Sequence, residues 1–329
     1  MKLFHSLLYP LLGGLFCLSC SDDEQDTGTK QPTTAGEVTF GVDLTGFSTR
    51  VTQDGSSWND GDKIGTYVLD MKTLEPVTEA ANVPYVCSEE GASVSFTSTT
   101  PLKVQNDGTP VKFVAYYPYN ADVRNFNYPV QLAAQERGST ACDLLYAATK
   151  EEYTYSPENE PHISLNFTHR LAKVILKFVN MEKEPLEVSD VRIEGMQTAA
   201  SFNIQTDVLT VDESSVATIN PYHNATTGFY EAIILPSALT DSYKVSFVLD
   251  DREKEWIFTN LDIALPQFHK GYSYAFALYI DDSGFVEMGR LENVEGGNSS
   301  APWEDGSSED GTAEGDKTPV SGYAFTPAD

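Results

Sequence analysis

Period two decides what this chain can build. In "EVTFGVDLTG" (37–46) the large apolar side chains Val38, Phe40, Val42 and Leu44 alternate with small or polar neighbours. Ile163, Leu165 and Phe167 alternate in "HISLNF", and Val174, Leu176 and Phe178 in "KVILKFVN". Further along come Tyr243, Val245, Phe247 and Leu249, then Tyr272, Tyr274, Phe276, Leu278 and Ile280. An extended backbone sends successive side chains to opposite faces, so these runs are strands with one buried face. Turn-forming clusters such as "QDGSSWNDGD" (53–62) and "QNDGTP" (105–110) punctuate them. No long run has the helical period; "VQLAAQE" (130–136) alone has room for a turn or two of helix. Many short strands without intervening helices predict an all-β chain built of antiparallel sandwiches.

The ends of the chain differ from its body. The apolar run from Leu7 to Ser19 is about 13 residues, against about 20 needed to span hydrocarbon. It reads as a secretory signal (1–19), not a membrane helix. Ser19-Cys20 resembles the end of a bacterial lipobox, which makes Cys20 the expected lipidated N-terminus, although Cys17 stands where that pattern has Leu. Ser21-Asp22-Asp23-Glu24 resembles the acidic export tag of surface lipoproteins of Gram-negative anaerobes. Residues 20–36 then form a tether without large apolar side chains. A polar stretch with Pro185, "NMEKEPLE" (180–187), divides the remainder into an N-terminal domain, 37–181, and a C-terminal domain, 182–290. Residues 291–329 are rich in Gly, Ser and acid and cannot bury enough to fold alone. Their last stretch, 318–326, regains Val320, Tyr323 and Phe325, the pattern of a segment that docks.

Composition removes several functions. A formal net charge of −28 argues against nucleic acid, which needs clustered Lys and Arg, and suits a self-repelling protein outside the cell. The five His residues are scattered: His5 lies in the expected signal, His162 and His169 lie seven apart, which is not a ligand spacing, and His223 and His269 are isolated. The Asp-Gly runs do not follow the EF-hand order, so no metal and no cofactor is expected. No nucleophile-elbow, zincin, P-loop or dinucleotide motif is present. With 49 carboxylates, a glycosidase pair stays open, but the expectation is a non-enzyme. Beyond the signal only Cys87 and Cys142 remain, either paired in an oxidising compartment or separately buried. Tyr153, Tyr155, Trp256 and Trp303 could stack on sugars, which keeps a surface glycan-binding lipoprotein as the alternative.

Five stretches, in order, carry a resemblance. "TRVTQDGSSWNDGDKIGTYVLD" (49–70), "VKFVAYYPYN" (111–120), "DLLYAATK" with "LNFTHRLAKVILKF" (143–178), "FHKGYSYAFALYI" (268–280) and "PWEDG" (302–306) resemble the signature blocks of the Bacteroidales fimbrillin-like proteins. Within them, Asp60-Gly61-Asp62 suits a tight turn, Trp58 and Tyr116-Tyr117-Pro118-Tyr119 suit packing, and His169 suits a hydrogen-bonded structural role.

The resemblance implies two transthyretin-like β-sandwich domains and a pilus or adhesin subunit, lipid-anchored at the outer membrane and working as part of a fimbria. Its partners would be other fimbrial subunits, in a homo- or hetero-polymer, and a host or bacterial surface receptor; the membrane would be touched through the N-terminal lipid only. It further implies proteolysis after an Arg or Lys that removes the lipid and the first strand, and a groove then filled by a strand of the next subunit. Arg50-Val51 is the candidate cleavage point, releasing strand 37–46, and 318–326 the candidate donor. Arg50 as an ordinary exposed strand residue and the tail as plain disorder stand beside those readings.

Overall fold

The computed structural model describes residues 35–43, 58–91, 93–135, 142–180, 187–249, 252–257, 267–280, 286–290 and 301–302. Among them there is no α-helix; the chain is all-β, in several sheets. The strands of the first half are β1 (Ala35–Glu37), β2 (Thr39–Asp43), β3 (Lys63–Asp70), β4 (Val83–Cys87), β5 (Ser93–Thr97), β6 (Lys103–Gln105), β7 (Val111–Tyr117), β8 (Asn127–Gln131), β9 (Leu145–Ala148), β10 (His162–Leu165) and β11 (Thr168–His169). Those that follow are β12 (Ala172–Asn180), β13 (Val188–Glu194), β14 (Ala199–Asn203), β15 (Val208–Val211), β16 (Tyr222–Asn224), β17 (Phe229–Ile234), β18 (Ser237–Ala238), β19 (Lys244–Leu249), β20 (Arg252–Ile257), β21 (Gln267–Phe268), β22 (Tyr272–Ile280), β23 (Val286–Arg290) and β24 (Ala301–Pro302).

The first core is wrapped mainly by one sheet, ordered β10-β2-β5-β4-β3-β7-β9-β11, with Leu102 and Val104, the latter on β6 of the separate β1-β6 pair, completing it. Phe40 of β2 meets Phe113 of β7 edge-on, with ring centroids 5.9 Å apart, although three strands separate them in that order. The sheet therefore curls round its own apolar face. Trp58 plugs the core, fully buried among Phe96, Tyr117 and Phe167. The Asp60–Asp62 turn forms as expected: Gly61 has φ +88°, a left-handed conformation that favours glycine, and Asp62 N donates to Asn59 O.

The second core lies between two sheets. Val174 and Leu176 of β12 and Tyr274, Phe276 and Leu278 of β22 face Val191 and Ile193 of β13 and Val245 and Phe247 of β19. Phe178 and Phe247 touch edge-on at 4.8 Å. On the polar side of the smaller sheet, Glu194 accepts from Ser246 Oγ at 2.7 Å and lies 3.4 Å from Lys244 Nζ. The Ser246 hydrogen bond first, and Lys244 and Arg192 after it, hold its carboxyl below the usual Glu value of 4.5. A depressed carboxyl contributes stability above its unfolded pKa and loses it as pH falls through the folded one. The stability difference between the wild type and Glu194→Gln is therefore expected to be level above about pH 5 and to shrink on acidification below it; denaturant midpoints across pH 3–7 (roughly the carboxylate range) measure this.

A third core joins the other two. Strands β3, β7 and β9 are buried on both faces: Ile64, Val68, Phe113, Ala115, Leu145 and Ala147 point into the first core, while Tyr67, Leu69, Val114, Tyr116 and Tyr146 point into the third. A strand covered on both faces has no polar face to show, hence the near-continuous apolar runs "YVLD", "FVAYY" and "LLYAA". Against that second face packs the sheet β15-β14-β8, whose β8 comes from the first half of the chain and β14 and β15 from the second. Gln135, buried, clamps the same junction: its amide donates to Leu132 O and Ile233 O and accepts from Ile233 N at 2.7 Å.

One expectation changes. The stretch 130–136 holds no helical turn in its described part: Val130 and Gln131 end β8, and Leu132 N bonds Thr198 O. Pairing with β14 across the junction outweighs the weak local helical spacing. The expected boundary at 181/182 falls at residues 181–186, outside the described residues.

Candidate functional site: the first-strand groove

The candidate site is the first strand and the strands around it. It spans two short pieces. β1 pairs antiparallel with β6, Gly36 opposite Val104. β2 inserts between two strands, parallel to β10 (Phe40 opposite Ile163) and antiparallel to β5 (Phe40 opposite Phe96). At the join, Val38 N donates to Leu102 O at 2.9 Å, and Tyr85 Oη donates to Val38 O at 3.0 Å while accepting from Leu102 N at 2.8 Å. Burial pushes the Tyr85 phenol up to about 12, which keeps it a neutral donor. Thr39 N donates to Pro161 O at 2.9 Å.

The side chains follow the alternation. Val38 and Phe40 are 0% exposed and Val42 is 2% exposed. Phe40 lies edge-on to Tyr85 at 4.8 Å as well as to Phe113. At about 1.5–3 kcal/mol for each large apolar side chain, their burial contributes roughly 5–9 kcal/mol, an upper value because an unfolded chain already hides some surface. The outward positions carry Glu37, 3.2 Å from Lys103, and Thr39, whose Oγ1 lies 3.0 Å from His162 Nδ1.

Sequence reasoning placed this strand at 37–46. The structure starts it at Ala35 and breaks it at Val38; residues 44–46 lie outside the described residues. So do Cys20, Arg50, Val51, Val320, Tyr323 and Phe325, as well as Trp303. His169 is buried, its Nδ1 2.8 Å from Asp143 Oδ2, in the structural role expected of it. Cys87 and Cys142 are free thiols, not a disulfide, and burial raises both. Tyr153 and Tyr155 are half-buried against the first core, and Tyr153 packs on Phe113 at 5.7 Å. Among the described residues no group of three or more His, Cys, Asp or Glu could hold a metal, and no helix is long and apolar enough to cross a membrane.

Sequence reading missed what surrounds Gly36 and Gly41. Neither has positive φ, so their backbone needs no glycine; what they lack is room for a side chain. The signal was available, since glycine inside a strand pattern marks close approach of a neighbour.

Solved structures share this fold. A candidate cell adhesion protein from Bacteroides uniformis superposes with a TM-score of 0.65 at 23% identity, covering 82% of this chain and 98% of that one. One from Bacteroides ovatus gives 0.59 at 16% identity, covering 80% and 97%. One from Bacteroides fragilis gives 0.51 at 14% identity, covering 78% and 99%. No curated protein sequence matches the chain. The family model described as fimbrillin-like matches residues 49–303, most of the length and all five signature blocks at least in part; the chain belongs to the fimbrillin-like family.

Proposed function

We propose that this chain is a non-enzymatic, surface-exposed fimbrial subunit or adhesion lipoprotein, exported behind residues 1–19, anchored through Cys20, and assembled by strand exchange once its first strand is gone. The observation that carries the reading is the insertion of β2 between β5 and β10. Taking it out would leave two unpaired ladder edges and an empty apolar trough, which is what β-augmentation fills. The strand's covalent link to the rest of the fold runs through 44–57, where Arg50-Val51 lies. A cut there would leave the strand held by noncovalent contacts alone. The next subunit would supply the replacement, with 318–326 as the candidate segment.

Mass spectrometry of the N-terminus of the surface-recovered protein tests this. A chain beginning at Val51 and running as a ladder in SDS is the expected result, with Arg50→Ala abolishing both. An intact acylated Cys20 without a ladder would overturn strand exchange and leave a permanently anchored lipoprotein; retention of that form on a glycan column would favour the glycan-binding alternative.

A further inference from the structure

We propose that Tyr155, Pro161 and His162 filter the strand that occupies the groove, strictly excluding a side chain at the place of Gly36 and disfavouring one at that of Gly41; the proposal rests on the strand-exchange reading and specifies what the groove accepts. A Cβ on residue 36 would lie 2.5 Å from Tyr155 Cε2, 2.7 Å from its Cζ and 2.8 Å from Pro161 Cγ. A Cβ on residue 41 would lie 2.7 Å from His162 Nε2. Carbon contacts are attractive only from about 3.5 Å, so either the strand or the wall must give.

The wall is tied to the strand it reads. Pro161 is buried, and its carbonyl accepts from Thr39 N. His162 lies opposite Thr39 in the ladder and meets its hydroxyl. Tyr155 leans on the first core. Retreat of Pro161 would therefore pull on the β2–β10 ladder. The Gly36 subsite, closed from two sides, is the stringent one. The Gly41 subsite, facing one exposed imidazole, is the lenient one.

The filter bears on the tail. With Tyr323 at the place of Phe40 and Phe325 at that of Val42, Ala324 falls on Gly41 and Pro319 on Gly36. Ala324 requires only that His162 swing aside, but Pro319 meets Tyr155 and Pro161. In this register Ser321 takes the place of Val38 and Val320 that of the outward Glu37, so a tail strand fills only the Phe40 and Val42 places with large apolar side chains and stops short of β1.

The test has two arms. In the intact chain, Gly36→Val gains strand propensity, so a groove without a filter would hold the strand equally well or better. The expected result is amide exchange at 38–42 at least about ten-fold faster than in the wild type, with Tyr155→Ala and Pro161→Ala together in the same chain restoring most of the protection and Gly41→Val giving a smaller loss that His162→Ala repairs. Unchanged protection in Gly36→Val, or a loss that Tyr155→Ala and Pro161→Ala together leave in place, overturns the filter. The second arm uses wild-type protein cut after Arg50 and offered synthetic peptides of residues 35–43 carrying Gly or Val at position 36. Entry of the Gly peptide alone supports the filter, and equal entry overturns it. Entry of neither, with the intact-chain result positive, defeats strand exchange while the filter stands.

Discussion

Phe40→Ala is expected to lower the unfolding free energy by about 3–5 kcal/mol, the range for deleting a well-packed core phenylalanine. Phe40 is fully buried, packed edge-on against Tyr85 and Phe113, and is the central anchor of a strand only a few residues long. Most of the lost contacts join β2 to strands far away in sequence, so the loss should be partly local. Amides 39–42 should exchange faster than those of β7, on the far wall of the same core. Denaturant unfolding gives the total, and exchange by mass spectrometry gives its distribution. A loss below about 1 kcal/mol, typical of a surface site, would mean that the strand is an adornment and not part of the core. The groove would then be a poor acceptor for any replacement.

Glu231→Ala should cost a similar amount for a different reason. Glu231 on β17 lies 2.6 Å from Lys173 Nζ on β12, with side-chain exposures of 12% and 10%. Its other oxygen accepts from Asn224 Nδ2 at 3.0 Å. Both residues share the face of Ile233, which looks into the junction core. Removing the carboxylate takes the Glu231 ion-pair partner from a largely buried ammonium, and such losses run to about 3–5 kcal/mol. Replacing both partners, Lys173→Met with Glu231→Leu, should recover most of it, because the desolvation of two charges disappears along with their attraction. A double variant as unstable as Glu231→Ala would show that the attraction within the pair, and not the desolvation of its charges, sets the cost.

How much of this was legible in the sequence varies along the chain. The alternation at Val38, Phe40 and Val42 and at Ile163 and Leu165 marked both strands correctly, because side-chain period is a local consequence of extended backbone. It said nothing of their being parallel neighbours: Thr39 and His162 meet across 123 residues. The apolar runs of β3, β7 and β9 hinted at burial on both faces, but the covering sheet of β8, β14 and β15 has few residues and weak patterns. The family blocks bracket the groove without including its strand: the match begins at residue 49, after β2 has ended.

By itself, then, the sequence determined the all-β class, the strand faces, the Asp60–Asp62 turn, the buried role of His169 and the family. Only the tertiary structure decided that the first strand lies between β5 and β10, that β8 joins β14 across the two halves, that Cys87 and Cys142 stay apart, and that Tyr155 and Pro161 crowd Gly36 while His162 crowds Gly41. The physical reason is one of range. Period, turn geometry and charge act between residues a few positions apart. Strand partners and the space beside a backbone are set by which distant surfaces exclude water together, and a single strand's pattern is equally consistent with many such pairings.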